Sequence, residues 1–485
     1  MEFIMNRKSG VLMHISSLFG GFSIGSVGEE AKYFIDFLKE SGFSIWQVLP
    51  FGVPDEYNSP YKSFSSFGAN PFFVDLPTLY EKGLLTFEEL KAAKQESPFL
   101  CEYERLWEQR LDLLAVAALR VNDRSEIIDF VRKNRLISEA AEFMALREAN
   151  GGAPWQKWTV TEPERERLFF WQFIQYEFYT GWQRISEYAR EQGIEIIGDL
   201  PIYVCCDSQD VYFNRDEFLL DPSGYPTLVA GVPPDYFSKD GQLWGNPLYD
   251  YKEMEKNGFS LWREKIRFML TLFDGLRIDH FRGIESFWAV PSEAKSAKEG
   301  FWIEGPGEKL VDAIKEEAGE KLVIAEDLGD ITDKVRALVD YSGFSGMRVF
   351  QFAFLGDTDS HHLPHNYSKK AVAYTGTHDN NTLLGYVWES DPHVRRRLFD
   401  YCGYCGEDFS EGVKEIVRCV ISSVTDVAIL PIQDIMGFGS DTRMNTPGRA
   451  EGNWQYRITK EQLDGIDRSL LRKMNELYGR IGSEK

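Results

Sequence analysis

Eight short apolar runs limit the folds open to this chain more than any other feature. They lie at residues 11–15, 45–49, 194–197, 275–278, 322–325, 347–350, 371–374 and 427–430, and most stop at polar or glycine-rich segments. A run of four or five Val, Ile and Leu residues is what a strand buried on both faces requires, because neither side meets water. Amphipathic helical stretches fall between several of them, at 29–40 (EEAKYFIDFLKE), 331–341 and 409–424. Strand and helix alternating eight times is the pattern of a closed parallel (β/α)8 TIM barrel, and α/β is the expected class. At 485 residues the chain exceeds a bare barrel of about 250, so large insertions on the C-terminal face are expected.

The uneven spacing places those insertions. Between the second and third runs lie charged helical segments at 85–94, 106–121 and 165–191, so a mainly helical insertion is expected at about 78–190. A Gly-, Pro- and Tyr-rich stretch, DPSGYPTLVAGVPPDYFSKDGQLWGNPLYD, gives a loop-rich insertion at about 208–260. No repeat, low-complexity tract or Pro/Ser linker divides the chain, and 1–485 is read as one barrel domain.

Three carboxylates are tied to the ends of these runs: Asp279 in GLRIDHFRG, Glu326 in KLVIAEDLG and Asp379 in AYTGTHDNN. Their separations of 47 and 53 residues each leave room for a strand, a returning helix and a loop. Side chains at the C-terminal ends of barrel strands converge on one mouth. One carboxylate to attack, one acid to protonate a leaving oxygen and further help in gripping a ring are the needs of glycoside chemistry. In a strand, Arg277 and Asp279 share a face, so the guanidinium is expected to lower the Asp279 pKa and keep it ionised. Burial and the adjacent Asp327 are expected to raise Glu326, as a general acid requires. Each acid also has a bland reading: a structural ion pair at 279, a helix cap at 326, a turn at 379. Asp199, ending the run in IIGDLPIYV, is expected to order the network behind Arg277 or His280.

Composition narrows the partners. With 54 Lys and Arg against 76 Asp and Glu, the net charge of −22 repels phosphate backbones and anionic lipid, so neither nucleic acid nor membrane is expected. A neutral ligand does not feel that field. Aromatic residues make up 14%, including 12 Trp and 22 Tyr, which suits packing on sugar rings as well as a large core. Six cysteines in so long a chain make no disulfide framework, and the C-x-x-C at Cys402 and Cys405 lacks a second pair for zinc. Free thiols, no apolar signal segment and no run of about 18 apolar residues point to the cytoplasm. His361, His362 and His365 form a loop cluster that is read as ligand-lining or solvated, and no metal or cofactor is expected. Phosphate-loop, dinucleotide, zinc-protease and serine-hydrolase motifs are absent in a fitting context.

Ordered blocks along nearly the whole chain resemble one family. They run from SGVLMHISSLFGGFSIGSVG, WQVLPFG and SPYKSFSSFGANP through GDLPIYVCCDSQDV, GVPPDYFSKDGQLWGNPLYD and FDGLRIDHFRG. IAEDLG, GMRVFQFAF, LPHNY, YTGTHDNNT and PIQDIMGFGSDTRMNTPGRAEGNWQYR complete the series. The chain resembles 4-α-glucanotransferases of the amylomaltase (disproportionating enzyme) type, glycoside hydrolase family 77 of the α-amylase clan. The resemblance implies Asp279 as nucleophile, Glu326 as general acid/base and Asp379 as the carboxylate that holds the distorted ring. It implies substrate contacts from Tyr61, Arg277, His378 and Asn366, and from Tyr236, Asp235, Gln242 and Trp244 of the loop over the acceptor side. Asn381, where the family usually has a second acid, Ser345, where a proline is common, and Cys205–Cys206 depart from the pattern. The implied reaction transfers an α-1,4-glucan segment to the 4-hydroxyl of glucose or a maltooligosaccharide by retaining double displacement, with carboxyls about 5–5.5 Å apart. An α-amylase-like retaining hydrolase shares the three acids and is the alternative. A non-catalytic glucan binder would lose one of them.

Overall fold

The computed structural model describes residues 7–234 and 239–481. Its strands, in chain order, are β1 (Lys8–Leu12), β2 (Ile45–Gln47), β3 (Glu195–Leu200), β4 (Leu228–Val232), β5 (Gln242–Pro247) and β6 (Gly275–Ile278). They continue with β7 (Ser286–Pro291), β8 (Phe301–Glu304), β9 (Leu322–Ala325), β10 (Ser345–Val349), β11 (Ala371–Tyr374) and β12 (Val427–Pro431). Eight of them close a barrel in the order β1-β12-β11-β10-β9-β6-β3-β2, every pair parallel. The (β/α)8 barrel expected from the apolar runs is therefore the fold.

Three expected runs coincide with strands residue for residue: β6, β9 and β11. Their interiors are buried on both faces, which is why an uninterrupted apolar run marks them. The first run does not coincide. Its strand is Lys8–Leu12, not 11–15, because Lys8 and Ser9 pair with Val427 and Ala428 while Ile15 turns into a short 3-10 helix. Ile15 is fully buried there without joining the sheet, so burial alone misplaced the boundary. Lys8 is carried at the strand's start by an ion pair with Glu195 of β3.

Between β2 and β3 the chain is mainly helical, ending in the 27-residue helix Arg165–Glu191. That helix packs Phe173, Phe178 and Trp182 inward, and the Trp182 ring meets those of Trp46 and Phe51 beside the barrel wall. A second, antiparallel sheet in the order β5-β4-β7-β8 stands outside the barrel. It takes two strands from the Gly- and Pro-rich stretch and two, β7 and β8, from the connection after β6, which the expected 208–260 segment left out.

Candidate active site

Register alone sets the acids side by side. Asp199 of β3 and Arg277 of β6 are direct partners, and Ile278 of β6 is the partner of Ala325 in β9. One step further along each strand stand Asp279 and Glu326, with the Asp279 N–H donating to the Leu200 carbonyl and the Glu326 N–H to that of Ile278. The backbone then turns sharply. His280 adopts a left-handed conformation (φ 48°), costing about 1–2 kcal/mol in a non-glycine residue, and directs its N–H onto Glu326 Oε2.

Arg277 is the hub. Its side chain is only 3% exposed; Nη1 donates to Asp199 Oδ1 at 2.8 Å and Oδ2 at 2.7 Å. Nη2 lies 3.1 Å from Asp279 Oδ1 and 3.2 Å from Glu326 Oε2. One nitrogen touching an oxygen of each carboxyl draws the two groups together, a spacing closer to the about 5–5.5 Å of a retaining pair than to the about 6.5–9.5 Å of an inverting one. Burial alone would depress Arg277, but Asp199, Glu326 and Asp279 together raise it well above its ordinary value, so it stays charged. Asp199 is wholly buried, and burial raises its carboxyl despite Arg277; Tyr61 Oη donates to its Oδ2 at 2.8 Å.

The protonation of the pair corrects the expectation from sequence. Burial first, then the facing Glu326 charge, raise Asp279 well above the carboxylate range, and Arg277 does not reverse this. Burial also opposes the Glu326 charge, but Arg277 and the His280 N–H outweigh it and bring Glu326 below its ordinary value. Two carboxyls this close in one desolvated mouth titrate as a pair, with Asp279 pushed up and Glu326 held down. Sequence anticipated the Arg277 contact but not the mutual repulsion of acids from different strands.

Asp379 does not end its strand. β11 stops at Tyr374, and the acid sits five residues later on a polar loop, 45% exposed. Other segments fix it there. Asn445 Nδ2 donates to Asp379 Oδ1 at 2.6 Å, Arg443 Nη2 donates to its backbone carbonyl, and the Asn445 N–H donates to the His378 carbonyl at 3.1 Å. His378 Nε2 lies 3.4 Å from Asp379 Oδ1. Tyr61 stacks on the His378 ring at 5.0 Å and 16°, and Trp454, itself left-handed (φ 65°), packs against both. Tyr61 thus couples the Asp199–Arg277 pair to the Asp379 loop.

The other sequence candidates divide. Trp244 of β5 meets the ring of His280, the residue after Asp279, edge-on at 4.9 Å, and Gln242 holds the indole by accepting from its Nε1 at 3.1 Å. Burial pushes His280 down to about 4, leaving a neutral imidazole under that indole. Asn366 spends its amide N–H groups on the Thr358 and Ser360 carbonyls, bracing its own loop instead of joining the acid cluster. Asp235 and Tyr236 lie outside the described residues. His362 is buried and accepts from the Val349 N–H through Nδ1, and among the described residues no group of His, Cys, Asp or Glu is arranged to hold a metal. Sequence reasoning assigned no role to Asn445, Arg443 or Trp454. Their only signal was membership in the conspicuous block TRMNTPGRAEGNWQYR, since what they contact lies more than 60 residues upstream.

Comparison with known proteins agrees over the whole barrel. A family model described as 4-alpha-glucanotransferase, glycoside hydrolase family 77, matches residues 13–463. The 4-alpha-glucanotransferase of Streptococcus pneumoniae is 40% identical over 495 residues, covering 98% of each chain. That of Thermus thermophilus is 39% identical over 496 residues, covering 98% of this chain and 99% of the relative. Among solved structures, an amylomaltase from Streptococcus agalactiae in complex with acarbose superposes with a TM-score of 0.93 at 34% identity, covering 98% of this chain and all of that one.

Proposed function

Since the chain belongs to the 4-α-glucanotransferase family, glycoside hydrolase family 77, we propose that Asp279, Glu326 and Asp379 carry its transfer reaction by retaining double displacement. Asp279 attacks the anomeric carbon of an α-1,4-glucan while Glu326 protonates the departing 4-oxygen. The bond to the leaving sugar breaks as the ester to Asp279 forms, giving a β-glucosyl-enzyme. Glu326, now ionised, takes the proton from the 4-hydroxyl of an acceptor glucose or maltooligosaccharide, which displaces Asp279 and restores the α linkage. The observation that carries this reading is the single Arg277 nitrogen touching both carboxyls.

The coupling of the two carboxyls fits this cycle. Attack requires a proton on Glu326, so the sugar oxygen arriving beside Glu326 draws one there and leaves Asp279 ionised next to Arg277. Asp379, oriented by Asn445, is placed to accept from ring hydroxyls and to stabilise positive charge as the bond breaks. Asp199 holds Arg277 from behind and touches no sugar.

Transfer in preference to hydrolysis depends on which nucleophile reaches the ester. Trp244 over His280 supplies an aromatic wall on the acceptor side, where bound sugar excludes water. Tyr236 and Asp235 are proposed as further substrate contacts, as the resemblance implies. Donors are α-1,4-glucans, and a cytosolic glucan pool is the proposed setting. Incubation with maltotriose tests the reaction: glucose together with oligomers longer than the substrate is expected, and shortening alone would overturn transfer in favour of the hydrolase.

A further inference from the structure

A charge is buried behind the aromatic wall of the acceptor side. The helix Ser260–Leu272 turns Leu261, Trp262, Ile266 and Met269 inward, and Lys265 falls on the same face, 1% exposed, where packing alone calls for an apolar residue. Burying an ammonium is costly, and burial pulls Lys265 below its ordinary value, with the charge of buried Asp210 acting the other way. Its Nζ lies 5.4 Å from the centre of the Trp262 ring and donates to Tyr249 Oη, a long hydrogen bond of 3.4 Å that its charge strengthens. Tyr249 Oη in turn donates to the Ile202 carbonyl at 2.8 Å. A phenol that accepts from a cation becomes the stronger donor, so the ammonium tightens the hold on Ile202.

Ile202 precedes the residue that meets the wall. Tyr203, 6% exposed, faces Tyr249 at 6.4 Å and 24°, Trp244 at 6.1 Å and His280 at 6.3 Å. On its other side Asn246 Nδ2 donates to the Val204 carbonyl at 2.9 Å, so the backbone is pinned before and after Tyr203. There is little slack around the ring: a Cβ on Gly283 would lie 3.2 Å from Tyr203 Oη and 3.3 Å from His280 Cδ2. We propose that Lys265 is a positioning residue for the acceptor step, acting through Tyr249 and the Ile202 carbonyl to hold Tyr203 against Trp244 and His280. It rests on the glucanotransferase reading. In that step the ester to Asp279 breaks, the oxygen of an acceptor 4-hydroxyl or of water bonds to the anomeric carbon, and its proton passes to Glu326. A fixed wall favours the sugar, which has to be oriented by a shaped surface, whereas water needs none. A charge that served folding alone would, when removed, cost stability without changing the choice of acceptor.

The test reads that choice in the full-length protein. Lys265→Met keeps much of the side chain's length and removes the charge, and Tyr249→Phe keeps the ring and removes both hydrogen bonds. Each is expected to raise the ratio of hydrolysis to transfer about three- to tenfold, measured on maltotriose as reducing ends gained against labelled glucose incorporated. KM for glucose as acceptor should rise by a similar factor, while kcat at saturating glucose stays within about threefold of the parent. Because both changes cut one chain of contacts, the double variant should shift the ratio little more than either alone. An unchanged ratio and glucose KM in Tyr249→Phe, or in folded Lys265→Met, overturns the proposal, as does a double variant whose two effects simply multiply. If Lys265→Met does not fold, Tyr249→Phe decides. Failure of the parent protein to lengthen maltotriose would refute the glucanotransferase reading instead, an outcome read before any variant is compared.

Discussion

Replacing Arg277 with Gln separates a catalytic hub from an ordinary buried ion pair. The side chain makes two hydrogen bonds to Asp199 and one close charged contact to each of Asp279 and Glu326. Charge-assisted contacts in a desolvated site contribute about 1.5–3 kcal/mol each, so losing the two that reach the reacting pair costs about 3–6 kcal/mol of transition-state stabilisation. That corresponds to a fall of about 10²–10⁴ in kcat/KM. Stability should fall as well, by up to about 3–5 kcal/mol, because Asp199 is left buried without its cation; proton uptake by Asp199 reduces this at low pH. The pH profile gives the sharper readout. Arg277 lowers the pKa of both Asp279 and Glu326, so its removal raises both. Both limbs belong to the pair, the acid limb to loss of its first proton and the basic limb to loss of its second, and both should move to higher pH. Steady-state rates on maltotriose between pH 4 and 9, with urea unfolding alongside, measure all three. A kcat/KM within tenfold of the parent, or an acid limb moving to lower pH, refutes the assignment.

Asn445→Ala removes the 2.6 Å hydrogen bond that orients the half-exposed Asp379 and should lower kcat about 5- to 30-fold, with KM and the unfolding midpoint little changed. An unaltered kcat would show that Asp379 needs no such hold. Asp434, buried and raised to about 6 by desolvation, accepts from Thr375 Oγ1 and from the Leu383 N–H at 2.7 Å. Because its folded pKa lies above the ordinary 3.8, the protonated form's stability is fully present below about pH 3.8 and is lost as pH rises through 6. Asp434→Asn should therefore stabilise the protein by up to roughly 3 kcal/mol at pH 8 and by almost nothing at pH 4, as urea midpoints at the two pH values would show; equal shifts at both refute the buried-charge account.

The barrel and two of its acids are legible in the sequence for one reason. A parallel strand covered on both faces has to be a continuous apolar run, so its last residue is conspicuous, and Asp279 and Glu326 each follow such a run directly. Strand alternation likewise put Arg277 on the face of Asp279, where it is. Other features had no local trace. Lys8 and Ser9 are polar yet begin a barrel strand, because the neighbouring β12 supplies the pairing and Glu195 of β3, one strand beyond β2, supplies the counter-charge. Asn445 reaches Asp379 across 66 residues, and β7 and β8 join a sheet begun before β6. Asn381, the departure in the THDNN block, donates to Ser440 Oγ at 3.0 Å, a contact no reading of the motif by itself would supply.

Solvent exclusion is a property of each strand's own composition, and that is why the chain by itself determined which segments become the wall and which acids stand at its rim. Charge balance belongs to the whole mouth. Arg277 draws on acids from β3, the end of β6 and the end of β9, and burial raises a carboxyl only by an amount set by what surrounds it. Only the closed barrel, by bringing Asp279 and Glu326 onto one guanidinium nitrogen and removing water from both, decided that they titrate as a pair.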